Sequence, residues 1–455
     1  MSTVLAAERT VRESYEADSS GLHLVPDFVA RPESVDEVIE IVKKAASDRL
    51  AITCAGAQTS TTGASITDRG ILLSLRSLNE IGQIDSGRGA LTVGPGALVG
   101  DVKRTAASAG LLFAPDPTSE EESTIGGAIA CNASGARTFK YGATRRHINA
   151  LKVVLATGAV VELRRSGLEK NTAGYAFAHD PIDWFIGSEG TLGIVVEAEL
   201  QLLPLPSRVV GLAVLFVDET DALAFVVASR ETHSVLPRCI EYFDKRALDI
   251  ARGNASGVTI PENAGGMVYV EEEIATDLDE CLARWLELIE RVSSDFEPLV
   301  FDGERRLRDA RRLRHSIPAT MNERGGKFRD AGGRKIGTDW AVPYRKLEEA
   351  IRMARSFAKE KGLEEPVIYG HAGNGHPHQN FLARDRDELT TTEEVVERTL
   401  RYILSLGGTV AAEHGIGKLK RRWLPLQMSA LQLSVMAAVK RDLDPQGILA
   451  PGNIL

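Results

Sequence analysis

The chain has 455 residues, with 54 Lys and Arg against 63 Asp and Glu, and its formal net charge is −9 at pH 7. This length predicts two or three domains rather than one hydrophobic core. The acidic balance and the lack of long Lys/Arg runs argue against a nucleic-acid partner, because phosphate binding needs clustered cations. An anionic substrate would therefore have to meet local positive groups.

No targeting segment is predicted from these residues. Residues 1–9 have neither a basic start nor a sustained apolar stretch, which argues against a signal peptide. No apolar run approaches the roughly 20 residues that span a bilayer. The four cysteines stand singly along the chain, so their spacing predicts neither a zinc site nor an iron–sulfur cluster. We therefore expect a protein of the cytoplasm, either free or peripheral to a membrane.

The first part of the chain alternates helix and strand patterns. A helix begins after Pro32, where Ser34 can cap it and Glu37 can close a capping box. Residues 151–156 and 159–163 are separated by Thr-Gly and predict a hairpin. Further strands are predicted at residues 50–53, 71–75, 90–93 and 195–203.

Three glycine-rich segments lie in this first part. They are Gly-Ala-Gln-Thr-Ser at residues 56–60 with Gly63, and residues 123–135 and 186–194. Glycine lets a backbone run close to a bulky partner and adopts positive φ without strain. Three such segments together indicate backbone amides that line a long polyphosphate ligand. Any one of them alone would favour an ordinary tight turn.

A fourth glycine segment, residues 94–100, resembles a dinucleotide-binding fingerprint between a strand and a helix. Its last glycine comes one residue too late, and Pro95 removes an amide that a phosphate would need. We interpret it as a plain strand-to-helix turn.

After residue 206 the pattern changes to that of a second α+β domain with its own sheet. Residues 304–314 are rich in arginine with some acid, which is typical of a solvated helix face. The tail contains one further helix at residues 431–443. The remaining predicted elements are strands at 209–217 and 266–271 and helices at 219–230, 277–292 and 391–406.

Four of the nine histidines lie within residues 371–414. The spacing of His371 and His378 does not fit one helical face, but the glycines and proline between them predict a turn leading into a strand at residues 378–382. Such a turn can bring both imidazoles round one point, and Glu413 can add a carboxylate from another strand. Two histidines and a carboxylate suit a catalytic divalent metal with open positions. A hydrogen-bonded histidine cluster without metal is equally consistent with these residue types.

The sequence resembles the FAD-linked oxidases of the vanillyl-alcohol-oxidase type, in the branch of D-lactate, glycolate and D-2-hydroxyglutarate dehydrogenases. The resemblance runs from about Val25 to the end of the chain. It is carried, in the expected order, by residues 56–60, 115–117, 123–135, 140–142, 186–194, 371–380, 413–417 and 444–452.

The resemblance implies an α+β fold of four segments. An N-terminal extension at 1–24 precedes a PCMH-type FAD-binding domain at 25–206. A cap domain at 207–408 carries an antiparallel sheet flanked by helices, and residues 409–455 return to the FAD site.

The resemblance also implies FAD as the cofactor. We expect it to be non-covalent, because flavinylating members carry a histidine or cysteine at particular loop positions, and the first loop here offers Gln58 and no histidine. The implied contacts are Gly56, Ala57, Gln58, Thr59, Ser60, Gly63, Pro115, Ser123, Gly126, Gly127, Asn132, Ser134, Gly135, Glu189, Gly190 and Ile194.

For the chemistry, the resemblance assigns His371, His378 and Glu413 as ligands of a divalent metal, zinc or manganese, and His414 as the general base. A metal that binds the substrate's carboxylate and hydroxyl lowers the pKa of the hydroxyl. A neutral histidine can then take the proton, while hydride passes to the flavin.

The predicted substrate residues are Arg314, Lys335 and His376. Arg314 matches the family's arginine before Ile-Pro, and a guanidinium suits a carboxylate. Lys335 is a second candidate cation. His376 stands where an asparagine is frequent, so it is either an extra metal ligand or a substrate contact.

The implied activity is oxidation of a D-2-hydroxy acid, of the D-lactate, glycolate or D-2-hydroxyglutarate type, to the 2-oxo acid. The electron acceptor is left open among a quinone, an electron-transfer flavoprotein, a cytochrome and an iron–sulfur subunit. One alternative is an FAD-dependent alkyl transferase of the same fold, similar to alkyldihydroxyacetonephosphate synthase, which should lack the His371, His378 and Glu413 set. Another is an FAD-binding subunit of a multi-subunit glycolate or lactate oxidase, which should have lost His414 or the histidine turn.

Overall fold

The computed structural model describes residues 5–254, 258–275, 277–292 and 296–455. The first four residues of the predicted N-terminal extension lie outside this part. The chain forms two compact units. The first unit comprises Met1–Gly135, Gly142–Leu205 and Glu413–Leu455, and the second comprises Ala136–Tyr141 and Pro206–Ala412. The chain therefore crosses between the units four times.

The strands of the described residues, in chain order, are β1 Phe28–Ala30, β2 Ile52–Ala55, β3 Ile71–Ser74, β4 Ile81–Asp85, β5 Ala90–Val93, β6 Leu111–Leu112, β7 Ile148–Val154, β8 Val160–Arg164, β9 Ile194–Gln201, β10 Leu203–Pro204, β11 Val209–Phe216, β12 Pro237–Asp244, β13 Gly266–Glu273, β14 Leu299–Asp302, β15 Gly332–Gly337, β16 Val367–His371 and β17 His376–Asp385. The α-helices are α1 Arg9–Glu13, α2 Val35–Asp48, α3 Val99–Ser108, α4 Ile125–Cys131, α5 Thr138–Tyr141, α6 Ile182–Phe185, α7 Glu219–Glu231, α8 Lys245–Gly253, α9 Leu278–Val292, α10 Gly303–Gly326, α11 Leu347–Glu360, α12 Arg386–Ser405, α13 Leu424–Gln427 and α14 Ala430–Leu443.

The first unit contains two main sheets. One is parallel, with strand order β1-β3-β2, and the other is antiparallel, with order β4-β5-β9-β7-β8. The tail of the chain completes the first sheet's core, since Leu449 forms a parallel bridge with Ile52 and is fully buried. The hairpin predicted from residues 151–163 is present as β7 and β8.

Helix α2 shows how local sequence sets these elements. Ser34 Oγ accepts the Glu37 amide at 3.3 Å, as predicted. In the predicted capping box, the Glu37 carboxylate would accept from the Ser34 amide. It accepts from the Glu33 amide instead, at 2.7 Å, so this part of the prediction is wrong. The buried face includes Val38 and Val42, and each such valine contributes about 1.5–3 kcal/mol when removed from water.

The second unit is built on one seven-stranded sheet of order β14-β11-β13-β12-β16-β17-β15. Every neighbouring pair is antiparallel, which confirms the expected antiparallel sheet. Helix α10 packs on β15 and β17, and α11 packs on α12. The helix predicted at 391–406 begins earlier, at Arg386, where Asp385 caps it through the Glu388 amide.

The turn at residues 94–100 is a structural turn. A Cβ on Gly94 would overlap the Leu78 carbonyl oxygen, and one on Gly96 would lie 2.5 Å from the Leu75 oxygen. The backbone is packed against backbone here and leaves no room for a phosphate. Among the described helices, none is both long and apolar enough to cross a membrane.

Candidate active site

In the first unit the three glycine-rich segments meet around α4. A Cβ on Gly56 would overlap Thr124 Oγ1, so the first segment lies directly against the second. The amides of Gly187 and Glu189 donate to the carbonyls of Ile129 and Ala130, both at 2.9 Å, which binds the third segment to the end of α4. The chain thus gathers at one place the segments that the sequence analysis predicted to share a ligand.

The segment around Pro115 joins this group. A Cβ on Gly135 would overlap the Asp116 carbonyl oxygen, and Pro115 itself is buried. Ser134 Oγ donates to Glu413 Oε2 at 3.3 Å. The end of the second glycine segment is therefore hydrogen-bonded to the loop that contains the predicted base.

Three glycines of this backbone are half-buried and pack less tightly than Gly56 or Gly135. A Cβ on Gly127, Gly187 or Gly190 would meet no heavy atom closer than 3.3, 3.5 and 3.9 Å respectively. Ser123 Oγ is buried and has no hydrogen-bond partner among the described residues. An unsatisfied buried hydroxyl near this backbone fits a long polar ligand such as FAD, because a buried polar group needs a partner.

Three non-glycine residues of these segments have left-handed backbones: Gln58 at φ 56°, Asn132 at φ 50° and Glu189 at φ 51°. Such φ values are uncommon outside glycine and require support from surrounding contacts. The Gln58 amide group supplies one, since Nε2 donates to the carbonyls of Tyr15 at 2.9 Å and Ala17 at 3.1 Å. The side chain of Gln58 is thus used by the N-terminal extension, which leaves its backbone for a ligand.

The other predicted cofactor residues differ in their burial and packing. Ala57, Thr59 and Ser60 are half-buried in the first loop. Ile194 is 1 % exposed and packs in the apolar core of the first unit. Gly63 has φ 76°, which favours glycine, and a Cβ on Gly126 would lie 2.7 Å from Pro95 Cβ.

The loop at residues 413–417 contains the predicted third ligand and the predicted base. His414 Nε2 lies 3.4 Å from Glu413 Oε1. The buried Glu189 carboxylate accepts the amides of Ile416 at 2.6 Å and Gly417 at 2.8 Å. Burial raises the pKa of Glu189, and these two amides oppose that rise. Glu189 therefore anchors the loop directly after His414.

In the second unit the predicted histidine turn is present. Strand β16 ends at His371, β17 begins at His376, and these two residues are paired across the strands. The predicted start of the second strand at His378 is wrong by two residues. The ring centroids of His371, His376 and His378 lie 4.7 to 5.4 Å apart. The turn between the strands thus places three imidazoles together, as donors of the type that bind divalent metals.

His371 is held by a buried ion pair. Its Nδ1 lies 2.6 Å from Oε1 of Glu241, and Oε2 of Glu241 lies 2.7 Å from Nε of Arg314. Burial would raise the pKa of Glu241, but the Arg314 guanidinium and His371 outweigh it and lower the pKa to about 2. Glu241 is therefore a carboxylate at neutral pH, with a cation on one side and an imidazole on the other.

Two further contacts fix the histidine turn. His376 Nε2 lies 3.1 Å from Asp339 Oδ1, and both residues are buried. Arg230 donates to the Gly373 carbonyl in the middle of the turn. Its guanidinium lies 4.2 Å from the centroid of the Tyr344 ring, a cation–π distance.

Lys335 lies on β15, paired with Leu382 of β17. Its Nζ donates to Asn322 Oδ1 at 2.9 Å. Burial lowers the pKa of Lys335 to about 8, because an ammonium group loses hydration there. A lysine with this pKa changes charge within a range that kinetic measurements reach easily.

The sequence analysis missed Glu241, Asp339 and Arg230. One signal for Glu241 was available. It lies in Ile-Glu-Tyr-Phe-Asp at residues 240–244, and charged residues inside an apolar run are rarely buried without a specific partner. Residues 240–244 alone do not show which residue the partner is.

The architecture of a mixed α/β unit with a glycine-lined cradle, followed by a unit on a single antiparallel sheet, is that of a flavoprotein. Residues 26–164 match the family model described as an FAD binding domain, and residues 205–454 match that of FAD linked oxidases, C-terminal domain. The chain belongs to the family of FAD-linked oxidases. This confirms the predicted family, the α+β fold class and the assignment as an FAD-dependent oxidoreductase.

Several curated relatives span most of the chain. Glycolate oxidase subunit GlcD of Bacillus subtilis is 31% identical, over 94% of this chain and 89% of its own. D-2-hydroxyglutarate dehydrogenase of Xanthomonas citri pv. viticola is 32% identical with the same coverage. D-lactate dehydrogenase of Archaeoglobus fulgidus is 30% identical, over 94% of this chain and 91% of its own.

Among solved structures, an alkyldihydroxyacetonephosphate synthase matches with a TM-score of 0.73. It is 18% identical and covers 98% of this chain and 82% of its own. At this identity the likeness shows that the fold is shared.

Proposed function

We propose that this protein oxidises a D-2-hydroxy acid to the corresponding 2-oxo acid with FAD as the immediate hydride acceptor. The observation that carries this proposal is the cluster of His371, His376 and His378 on β16 and β17. A structural flavoprotein subunit or an alkyl transferase would not need this cluster. The printed names of the relatives, which concern glycolate, D-lactate and D-2-hydroxyglutarate, support the same substrate class.

The proposed FAD contacts are those that the sequence predicts in the first unit, with non-covalent binding. Gly127, Gly187 and Gly190 are half-buried, and Ser123 Oγ, which has no partner among the described residues, can donate to the ligand. The segment from residue 409, which supplies Glu413 and His414, is proposed to return to this site. When bound, FAD supplies a two-electron acceptor for hydride.

For the reacting alcohol, we propose that His414 takes the proton of the C2 hydroxyl on a ring nitrogen. A divalent metal, zinc or manganese, is proposed to be held by His371 and His378 with Glu413. Such an ion would acidify the hydroxyl. The imidazole and carboxylate donors of this set fit either metal.

The substrate carboxylate is proposed to bind to Arg314 and Lys335, with His376 as a further substrate contact or metal ligand. Arg314 already pairs with Glu241 through Nε, and its planar fork has further donors on the Nη atoms. The electron acceptor is proposed to be a quinone, an electron-transfer flavoprotein, a cytochrome or an iron–sulfur subunit, reached from the cytoplasm.

The proposal is tested by anaerobic mixing of the FAD-loaded protein with glycolate and with the D and L forms of three- and five-carbon 2-hydroxy acids. We expect one D-acid or glycolate to bleach the flavin absorbance near ~450 nm. Pre-treatment with a chelator should abolish the bleaching, and added zinc or manganese should restore it. If no hydroxy acid reduces a fully loaded flavin, the dehydrogenase proposal is wrong. If a chelator does not change the bleaching, the metal part of the proposal is wrong and the dehydrogenase reaction stands.

The pH dependence of substrate binding tests Lys335. The ammonium is charged below a pKa of about 8 and neutral above it. We therefore expect the KM for the hydroxy acid to rise as pH increases through 8. Lys335→Met should raise KM about 10–100-fold at pH 7, the size of a lost charge-assisted hydrogen bond, and should remove this rise.

The matched control for Lys335 is Lys327→Met, because Lys327 is 67% exposed. It should retain the wild-type KM at each pH. If Lys335→Met keeps both the wild-type KM and its pH dependence, substrate binding by Lys335 is excluded.

A further inference from the structure

We propose that Glu241 is a positioning residue that sets the tautomer and ring orientation of His371 for metal binding. This inference rests on the metal part of the proposed function. Glu241 lies on β12, in the middle of the seven-stranded sheet, and is 1 % exposed. It is not among the residues that the sequence assigned to the site.

The geometry defines which nitrogen of His371 carries its hydrogen towards Glu241. A carboxylate can only accept hydrogen bonds, and Glu241 Oε1 lies 2.6 Å from His371 Nδ1. The hydrogen between these atoms therefore lies on Nδ1, and the nitrogen on the other side of the ring is Nε2, which Arg314 Nη2 approaches to 3.5 Å. A carboxylate behind a ligating histidine is a recurring arrangement in metal sites, where it fixes the ring and raises the basicity of the ligand nitrogen.

Arg314 compensates the negative charge of Glu241 in the protein interior. A buried carboxylate needs a compensating charge, and Arg314 supplies it through Nε at 2.7 Å from Oε2. Its Nη2 also lies 3.4 Å from His371 Nδ1. Glu241 therefore has two partners, the Arg314 guanidinium and His371 Nδ1.

A second acidic residue of the same sheet provides the comparison. Glu271 on β13 is also buried, and it pairs with Arg238 at 2.7 Å and with the Tyr269 hydroxyl at 2.9 Å. Its contacts given by the structure include no histidine. If buried carboxylates here only stabilise the sheet, replacing either one should have the same consequences.

The decisive variant is Glu241→Gln. An amide has one oxygen, whereas Arg314 Nε–H and His371 Nδ1–H are two donors. Because arginine stays a donor, the amide oxygen faces Arg314 and the amide NH₂ faces His371, which favours the wrong tautomer. We expect the affinity for zinc to fall about 10–100-fold, as measured by metal content after dialysis against graded chelator concentrations.

Glu271→Gln should lower thermal stability without changing zinc affinity, and both variants should retain FAD. Equal zinc affinity in Glu241→Gln and Glu271→Gln would overturn the inference. If Glu241→Gln does not fold, Glu241→Asp serves instead. The shorter side chain keeps a negative charge near Arg314 but lengthens the distance from the carboxylate to His371, so zinc affinity should again fall. If the wild-type protein binds no divalent metal, the metal part of the proposed function fails first, and this inference fails with it.

Discussion

Replacing His414 with glutamine is expected to lower the rate of flavin reduction by the D-2-hydroxy acid about 10²–10⁴-fold, which is the usual contribution of a general base. The variant should remain yellow, because Thr62 Oγ1 donates to the backbone carbonyl of His414 at 3.4 Å, and this contact does not need the imidazole. Anaerobic stopped-flow reduction, with FAD content measured on the same sample, separates the two properties.

His23→Gln is the control for this experiment. His23 belongs to the same unit, and its side chain is 57% exposed beside Glu16. It should reduce its flavin at the wild-type rate. A His414→Gln variant that is reduced as fast as His23→Gln would show that another group takes the proton.

Replacing Glu189 with alanine is expected to have the largest effect on stability. The amide of buried Gly417 and the amide of half-buried Ile416 would lose their acceptor. An unsatisfied buried group costs about 1–3 kcal/mol, so the free energy of unfolding should fall by about 2–6 kcal/mol. Because these amides follow Glu413 and His414 directly, the fraction that remains folded should also reduce its flavin slowly.

Denaturant unfolding followed by flavin fluorescence measures the first effect. Glu197→Ala on β9 is the control, since Glu197 is exposed, and it should unfold at the wild-type denaturant concentration. Glu189→Gln retains one acceptor oxygen and should lie between wild type and Glu189→Ala. Unchanged stability of Glu189→Ala would show that the 413–417 loop is held by its other contacts.

Much of the fold was predictable because its signals are local. The caps at Ser34 and the hairpin at β7 and β8 depend on residues only a few positions apart. Strand β12 was missed because its eight residues are all buried. A strand is usually identified by polar residues on an exposed face alternating with apolar residues on a buried face, and β12 has no exposed face. Long-range sheet pairing decides that strand, and a single sequence does not contain this information.

The same distinction applies to the site. The turn between His371 and His378 was predicted from the glycines and proline between them. The partner of His371 was not, because Glu241 lies 130 residues earlier in the chain. Similarly, Glu189 was predicted as a cofactor contact from its glycine-rich neighbourhood, while its side chain bonds amides 227 and 228 residues later.

The four crossings of the chain between its units bear on how the protein is made. Ile52 is translated long before Leu449, its neighbour in the folded protein. The second unit is contained within residues 136–412, so its core can form while the first unit still lacks part of its own. Until Leu449 has been translated, the nascent chain exposes apolar surface beside β2, a state that favours aggregation or chaperone binding. The core of the first unit is therefore completed after that of the second.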